Sequence, residues 1–402
     1  MILVEQHVYK QNNKLFKEMD NLCFLSKNLY NATLYEIRQY FFKTQKYMNY
    51  YEVNKKFTHE NQVDYRSLPT KVSKMVQMKL DKNFKSFFNL LKKKQTRKYN
   101  KPIKIPKYLH KTKGRFVVEY TIQAISFKKE GYIHLSKTNI FIKTKISKKD
   151  IQFARIVPKN GYYVIEIGYK KQEKTIKQNN KCASIDLGLN NLMTVTSTNK
   201  KPFIINGKPL KSINQYYNKQ KSHYQSILKK TNNKNSSKRL QKLALKRNNK
   251  IKDYLHKSTS YLINQLVSND ISTLIVGYNK NWKQDVNIGK VNNQNFVQIP
   301  FYKLVNMLEY KCKLNGINLI LQEESYTSKC SFLDKEEVKK HEKYSGKRVK
   351  RGLFKMKNNI CINADVNGSL NIMKKHFIKE AKNIYDYINL VEVCSMPDVI
   401  TL

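Results

Sequence analysis

Acidic residues are what this 402-residue chain has too few of: 29 Asp and Glu stand against 78 Lys and Arg, a formal net charge of +49. Long apolar runs are missing too. None approaches the roughly 18 residues that would cross a bilayer, and Met1 to Tyr9 lacks the basic and apolar regions of a secretory leader. We therefore expect neither a membrane protein nor a secreted one, but an intracellular chain, cytoplasmic or nucleoid-associated. The six cysteines, Cys23, Cys182, Cys312, Cys330, Cys361 and Cys394, form no C-x-x-C pair. They read as isolated reduced thiols, and with the eight histidines equally scattered the spacing supports no structural zinc. Glycine is scarce and there is one Trp, while Lys, Asn, Ile and Tyr abound. A biased gene composition would produce that mixture, but it would raise Glu along with Lys. The charge instead points to a polyanionic partner, nucleic acid first, with an anionic membrane surface or a ribosome-like scaffold behind it.

What remains is enough to fold. Hydrophobic residues make up 40% and aromatics 11%, which excludes wholesale disorder, and the length fits about two to four domains. A strand is expected at Ile2 to Tyr9. Leu15, Met19, Leu22, Leu25, Leu29, Ala32 and Ile37 then recur at helical spacing. A second helix is signalled by Ser67 as a cap, Pro69 near the first turn, and a stripe from Val72 to Leu91. Short strands follow at Phe116–Phe127, Tyr132–Leu135, Ile140–Ile142, Ile151–Ile156 and Tyr162–Tyr169, separated by turns such as Asn160-Gly161. They suggest a small β-barrel that the first strand completes, with the helices inserted.

After a Lys-rich linker, Lys170 to Lys181, strands alternate with helices. Strands are expected at Cys182–Leu187, Leu192–Ser197, Pro202–Ile205, Thr273–Val276 and Ile317–Gln322. Two long basic helices, about Ser212–Thr231 and Ser236–Ser268, form a hairpin carrying Tyr216, Tyr217, Tyr224 and Tyr254. Further helices are expected at about Pro300–Leu314, from Ala364, and from Lys379 to Val393. The fold class is thus multidomain, α+β and α/β.

Two segments carry chemistry. In Ser184-Ile185-Asp186-Leu187-Gly188 an acid ends an apolar strand before a turn. In a ribonuclease-H-like fold that position holds a carboxylate at the centre of the sheet, where paired metal ions need bridging acids; Asp before Gly is also a common turn. In Ile362-Asn363-Ala364-Asp365 a second acid opens a helix, where it either serves the same site or favours the helix dipole. Asn367 and Asn371 share a face of that helix and are expected to point towards the site.

With these segments stand Gly277-Tyr278-Asn279-Lys280-Asn281-Trp282-Lys283-Gln284, Asn293-Gln294-Asn295-Phe296-Val297-Gln298-Ile299-Pro300-Phe301, Glu323-Glu324-Ser325-Tyr326-Thr327-Ser328-Lys329 and Gly346 to Phe354. Together, over residues 182–376, they resemble TnpB, the transposon-encoded RNA-guided DNA endonuclease related to miniature type V CRISPR effectors. The resemblance implies a wedge-like barrel domain at 1–10 and 96–172, a helical recognition lobe at 11–95, and a RuvC-like nuclease domain at 173–402. It implies insertions at 208–268, the basic hairpin, and 325–360, a target-strand-loading-like loop. It also implies a guide RNA encoded near the gene, a double-stranded DNA target with a short adjacent motif, and two Mg²⁺ ions, or Mn²⁺. Asp186 matches the first catalytic Asp and Asp365 the last.

Two departures stand out. Relatives carry the middle Glu at the end of the strand here written Leu274-Ile275-Val276-Gly277, which has no acid. Glu323 and Glu324 end the adjacent strand instead, as in a subgroup with a relocated Glu. Glu324 is taken as the third ligand and Glu323 as the backup; both also read as surface acids balancing Lys329. The C-x-x-C pairs of relatives are reduced to Cys330, so the loop is expected to be free of zinc while keeping basic Lys347, Arg348, Lys350 and Arg351 for DNA. In the hairpin, Lys219, Lys229, Lys230, Arg239, Lys242, Lys246 and Arg247 are candidates to track phosphates, each also readable as a solvated charge. Phe41 to Tyr51 offers rings for base stacking or core. Two rivals remain: a guided DNA-binding repressor without cleavage, and a basic protein that binds nucleic acid without a guide.

Overall fold

The chain divides into two units, Met1–Lys171 and Gln172–Leu402, and the computed structural model describes residues 1–96, 99–279 and 289–402. The first unit starts with β1 (Ile2–Lys10) and four helices: α1 (Phe16–Thr44), α2 (Tyr50–His59), α3 (Val63–Arg66) and α4 (Thr70–Gln95). The apolar stripes of α1 and α4 meet in one core, with Met19, Leu29 and Leu34 buried beside Val72, Val76 and Leu80. Each such side chain stabilises by about 1.5–3 kcal/mol. Ser67 does not cap α4. Its hydroxyl donates to Asp64 O at 2.7 Å and closes the short α3 that lies between. Helix α2, absent from the periodicity reading, is set by a capping box in which Asn49 and Glu52 exchange hydrogen bonds.

Seven strands of this unit, β1 with β2 (Val118–Thr121), β3 (Ile125–Ser126), β4 (Tyr132–Leu135), β5 (Phe141–Lys143), β6 (Ile151–Lys159) and β7 (Tyr162–Lys170), pair as two antiparallel sheets, β1-β7-β6-β2 and β3-β4-β5. The expected single strand from Phe116 to Phe127 is broken by a 3-10 turn at Ile122–Ala124, so its halves join different sheets. The sheets share one core, with Tyr120, Ile133, Ile142, Ile156 and Ile165, but their described pairings do not close into one ring.

The second unit contains β8 (Cys182–Leu187), β9 (Asn191–Ser197), β10 (Phe203–Asn206), α5 (Lys208–Asn232), α6 (Lys238–Ser268), β11 (Thr273–Gly277), α7 (Lys290–Gln298), α8 (Phe301–Asn315), β12 (Asn318–Gln322), β13 (Lys347–Lys350), β14 (Leu353–Lys355), β15 (Cys361–Asn363), α9 (Ala364–Lys379), α10 (Leu390–Val393) and β16 (Asp398–Ile400). Its main sheet runs β12-β11-β8-β9-β10-β16. Strand β8 is inside the sheet, antiparallel to β9 and parallel to β11, and β11 is parallel to β12. The carboxyl ends of β8, β11 and β12 therefore lie side by side, the place where such sheets present ligands. The helix expected from Lys379 to Val393 is not continuous. Asn383 and Asn389 each accept a backbone N–H and start separate short turns, before β16 adds to β10. Among the described residues no helix is long and apolar enough to cross a membrane.

Candidate catalytic site and nucleic-acid interface

Asp186 sits near the end of β8, after Ala183, Ser184 and Ile185, which are buried. Beneath it, the hydroxyls of Ser184, Thr196 and Ser369 bond to one another at 2.8–3.0 Å and tie α9 to β8 and β9. Gly368 lets α9 come this close, because a Cβ there would stand 2.9 Å from Asp186 Oδ2. Burial, then the carboxylates of Glu324 and Asp365, raise Asp186 well above the ordinary Asp range. The sheet thus brings Glu324, at the end of β12, and Asp365, on α9, within electrostatic reach of Asp186 on β8.

Glu324 reaches this group by way of a vacancy on β11. A Cβ on Gly277 would lie 2.5 Å from Glu324 Oε1 and 2.5 Å from Ile372 Cδ1, so the Glu324 carboxylate occupies the space a side chain at 277 would need. Asn279 holds it from both ends: its Oδ1 accepts from Glu324 N at 3.0 Å, and its Nδ2 donates to Oε2 at 3.3 Å. Oε1 is buried and has no hydrogen-bond partner among the described residues. Burial, with the neighbouring Glu323 charge, pushes Glu324 up to about 7. Glu323 is engaged elsewhere. It accepts from Lys375 Nζ at 2.7 Å and from the Ser325 amide and hydroxyl at 2.7 Å. These bonds outweigh its partial desolvation and hold it near 2. Lys329, expected as a balancing charge, lies near the Tyr344 ring instead.

Asp365 is anchored at the start of α9, whose Asn363 cap accepts from Asp365 N at 2.9 Å. Its Oδ2 accepts from Asn191 Nδ2 at 2.6 Å and its Oδ1 from the Arg348 guanidinium at 2.9 Å. Asp186 and Asp365 line one open cleft with Asn191, Thr194, Lys208, Ser328, Arg348 and Arg351. Among the described residues no three His, Cys, Asp or Glu side chains converge as a formed metal site. The donor chemistry nevertheless fits a hard cation. Every candidate ligand is a carboxylate oxygen, Glu324 Oε1 is orphaned in a buried position, and Asp186 is held next to like charge that a cation would relieve.

Asn367 and Asn371 do not point into the cleft. Both are buried and clamp the loop after β12: Asn367 Nδ2 donates to Cys330 O at 2.8 Å and its Oδ1 accepts from Phe332 N, while Asn371 donates to Thr327 O and Cys330 O. The rest of that loop is held without cysteine pairs. Glu336 bridges two arms, accepting from Ser331 N at 2.7 Å and Ser345 N at 2.9 Å, and Asp334 accepts from Lys357 N. Phe354, Met356 and Ile362 form a small core beneath β13–β15, with Leu333 packed on it.

The basic candidates separate into two groups. Lys219, Lys229, Lys230, Lys242 and Lys246 are exposed on α5 and α6, and Arg239 is exposed over the Tyr224 ring at 4.1 Å. Arg247 is spent internally, donating to Asn214 Oδ1 at 2.8 Å and Gln298 O at 3.2 Å beside Tyr217. Tyr254 is likewise core, its hydroxyl bonded to Asn206 O, whereas Tyr216 is exposed. Lys347, Lys350 and Arg351 are exposed, and Arg348 is held on Asp365. The 280–284 part of the motif after Gly277 lies outside the described residues. Asn191, Asn279 and Lys208 were not singled out from sequence. Asn191 and Asn279 lay inside quoted motifs, but nothing in their spacing told which acid each would meet.

Residues 164–283 match the family model described as a probable transposase (OrfB of IS605), and residues 301–372 match the Cas12f1-like TNB domain. A TnpB-like protein, ORF457 of Acidianus two-tailed virus, is 26% identical over 409 positions, covering 89% of this chain and 83% of that protein. The solved Cas12f1–sgRNA–target DNA complex is similar in fold, with TM-score 0.52 and 16% identity over 90% of this chain and 82% of the other.

Proposed function

We propose that this chain, which matches an OrfB transposase model and a Cas12f1-like TNB model, has a TnpB-like relative and is Cas12f1-like in fold, is a transposon-associated RNA-guided DNA endonuclease. It takes a guide RNA encoded near its gene and cuts complementary DNA beside a short adjacent motif, base pairing supplying the sequence recognition. The observation that carries the nuclease assignment is the Glu324 carboxylate lying over Gly277, within reach of Asp186. A family position without its acid is thereby refilled from the neighbouring strand. Asp186, Glu324 and Asp365 would hold the cations; Glu323, tied to Lys375, would not. Two Mg²⁺ or Mn²⁺ ions, when bound, supply the positive charge that stabilises the attacking and leaving oxygens of an in-line displacement.

The chain's own groups set the rest. Asn279 orients Glu324, and Asn191 orients Asp365. Arg348, Arg351 and Lys208 at the mouth of the cleft attract the scissile phosphate, and Arg348 exchanges Asp365 for it. The exposed lysines of α5 and α6 follow phosphates of the RNA–DNA duplex. The Arg348–Asp365 ion pair also favours a second reading, a guided DNA-binding repressor with weak or no cleavage. One experiment separates them: the protein is expressed with its flanking DNA, its RNA is sequenced, and a matched target is offered with Mg²⁺. Cutting that is lost in Asp186→Asn and Glu324→Gln supports the endonuclease. Guided binding with no cutting supports the repressor.

A further inference from the structure

Between Asp81 and Glu119 the first unit has no acidic residue. Within that stretch, residues 102–110 form neither helix nor strand, yet the main chain is fixed along α1. Asn31 binds Leu109 at two points, donating to its O at 2.9 Å and accepting from its N at 2.9 Å. Arg38 donates to Pro106 O at 2.7 Å, Tyr30 to Lys107 O at 3.3 Å, and Lys27 to Lys111 O at 2.6 Å. All of these bonds go to backbone. The side chains of Lys101, Lys104, Lys107, Lys111 and Lys113 are left exposed, with no ion-pair partner among the described residues. Pro102 and Pro106 stiffen the strap further.

Aromatic rings flank the same line of α1. Tyr108 is 44% exposed, with the Arg38 guanidinium 4.8 Å from its ring centroid. Tyr35 and Phe42, which share the helix face of Asn31 and Arg38, are 56% and 66% exposed. Large rings left in water beside a fixed row of cations need a reason. A charge row alone would serve solubility and would not require its backbone to be pinned by an Asn, an Arg, a Tyr and a buried Lys.

We infer that this strap and the outer face of α1 bind a single-stranded stretch of RNA, the lysines meeting phosphates and Tyr108, Tyr35 and Phe42 stacking on bases. Lys101 to Lys107 span at most about 21 Å of extended chain, a footprint of a few nucleotides. That the strand is RNA rather than DNA rests on the guided reading above, in which RNA is the permanent partner.

The test uses the full-length protein freed of copurified nucleic acid and a 12-nucleotide oligouridine carrying 4-thiouridine, photo-crosslinked and mapped by mass spectrometry. Adducts on Tyr108, Tyr35 or Phe42 are expected; adducts confined to other segments overturn the inference. In parallel, the triple variant Lys101→Gln, Lys104→Gln, Lys107→Gln should lower the slope of log affinity against log salt by about 2, since each single-strand phosphate contact contributes about 0.7. Its thermal midpoint should be unchanged, because the pinning residues are untouched; an unchanged slope overturns the inference. A matching 4-thiothymidine DNA crosslinking at these rings in place of the RNA overturns the choice of RNA. Failure of the endonuclease reading looks different: no discrete copurified RNA and no guided cut, with the oligouridine adducts still formed.

Discussion

Adding a single methyl group at Gly277 should disable the site. A Cβ there would lie 2.5 Å from both Glu324 Oε1 and Ile372 Cδ1, and would need about 0.9 Å more to reach the 3.4 Å at which ordinary contact begins. Ile372 is fully buried, so the Glu324 carboxylate is the partner that yields. Forcing an extra methyl into a filled site costs about 1–3 kcal/mol, which lowers the unit's thermal midpoint by roughly 2–12 °C. A displacement of that size in a catalytic group costs about 10²-fold in rate. Gly277→Ala should therefore cut DNA about 100-fold more slowly under single-turnover conditions while keeping its RNA. Returning the acid to β11 with Gly277→Glu, Glu324→Gly removes the Glu324 half of the clash, leaving Ile372 Cδ1 to shift, and should recover part of the loss. If Gly277→Ala cuts at the wild-type rate, the account of where the third carboxylate sits is wrong.

Asp186→Asn and Asp365→Asn should each lower cleavage by at least about 10²–10³-fold, with bound RNA unchanged in a gel-shift assay. Glu323→Gln should cut within a few-fold of wild type, since its partner is Lys375; chemical denaturation should show a loss of about 1 kcal/mol for this pair, whose Glu323 side is exposed. Without metal, burial raises Glu324 to about 7 against an ordinary 4.5, so between those values the folded chain keeps a proton the unfolded chain has released. Glu324's contribution to the stability of the metal-free protein should then fall as pH rises from about 4.5 to 7, by about 3–4 kcal/mol at most. Urea midpoints across that range should depend less on pH in Glu324→Gln, the raised Asp186 supplying what dependence is left. Glu336→Ala removes the acceptor shared by Ser331 N and Ser345 N, each charge-assisted bond contributing about 1.5–3 kcal/mol; amide exchange should quicken across the loop.

Much of the second unit was legible in its residues. Cys182–Leu187 is an apolar run ending at an acid, and it is the strand that carries Asp186. The missing acid at Gly277 was visible as well, yet only the Cβ distances show that its space is taken by Glu324. Helical spacing placed Asn367 and Asn371 on one face, but spacing does not say what lies opposite, and that turned out to be loop carbonyls. Arg247 read as one more cation among many; its anchoring between α5 and α7 is a tertiary fact. The small sheet of β13–β15 escaped notice because its strands are three or four residues long and β13 is fully exposed. The apparent last helix failed for a local reason, two Asn side chains each capturing a backbone amide in place of helix continuation.

The central claim is guided cutting by the acids gathered around Asp186. The direct measurement is cleavage of a chosen DNA by the purified protein–RNA complex after its guide segment is rewritten to match that DNA. The account predicts a Mg²⁺-dependent cut that moves with the guide and disappears in Glu324→Gln. A cut that ignores the guide, or that persists undiminished in Glu324→Gln, would contradict it.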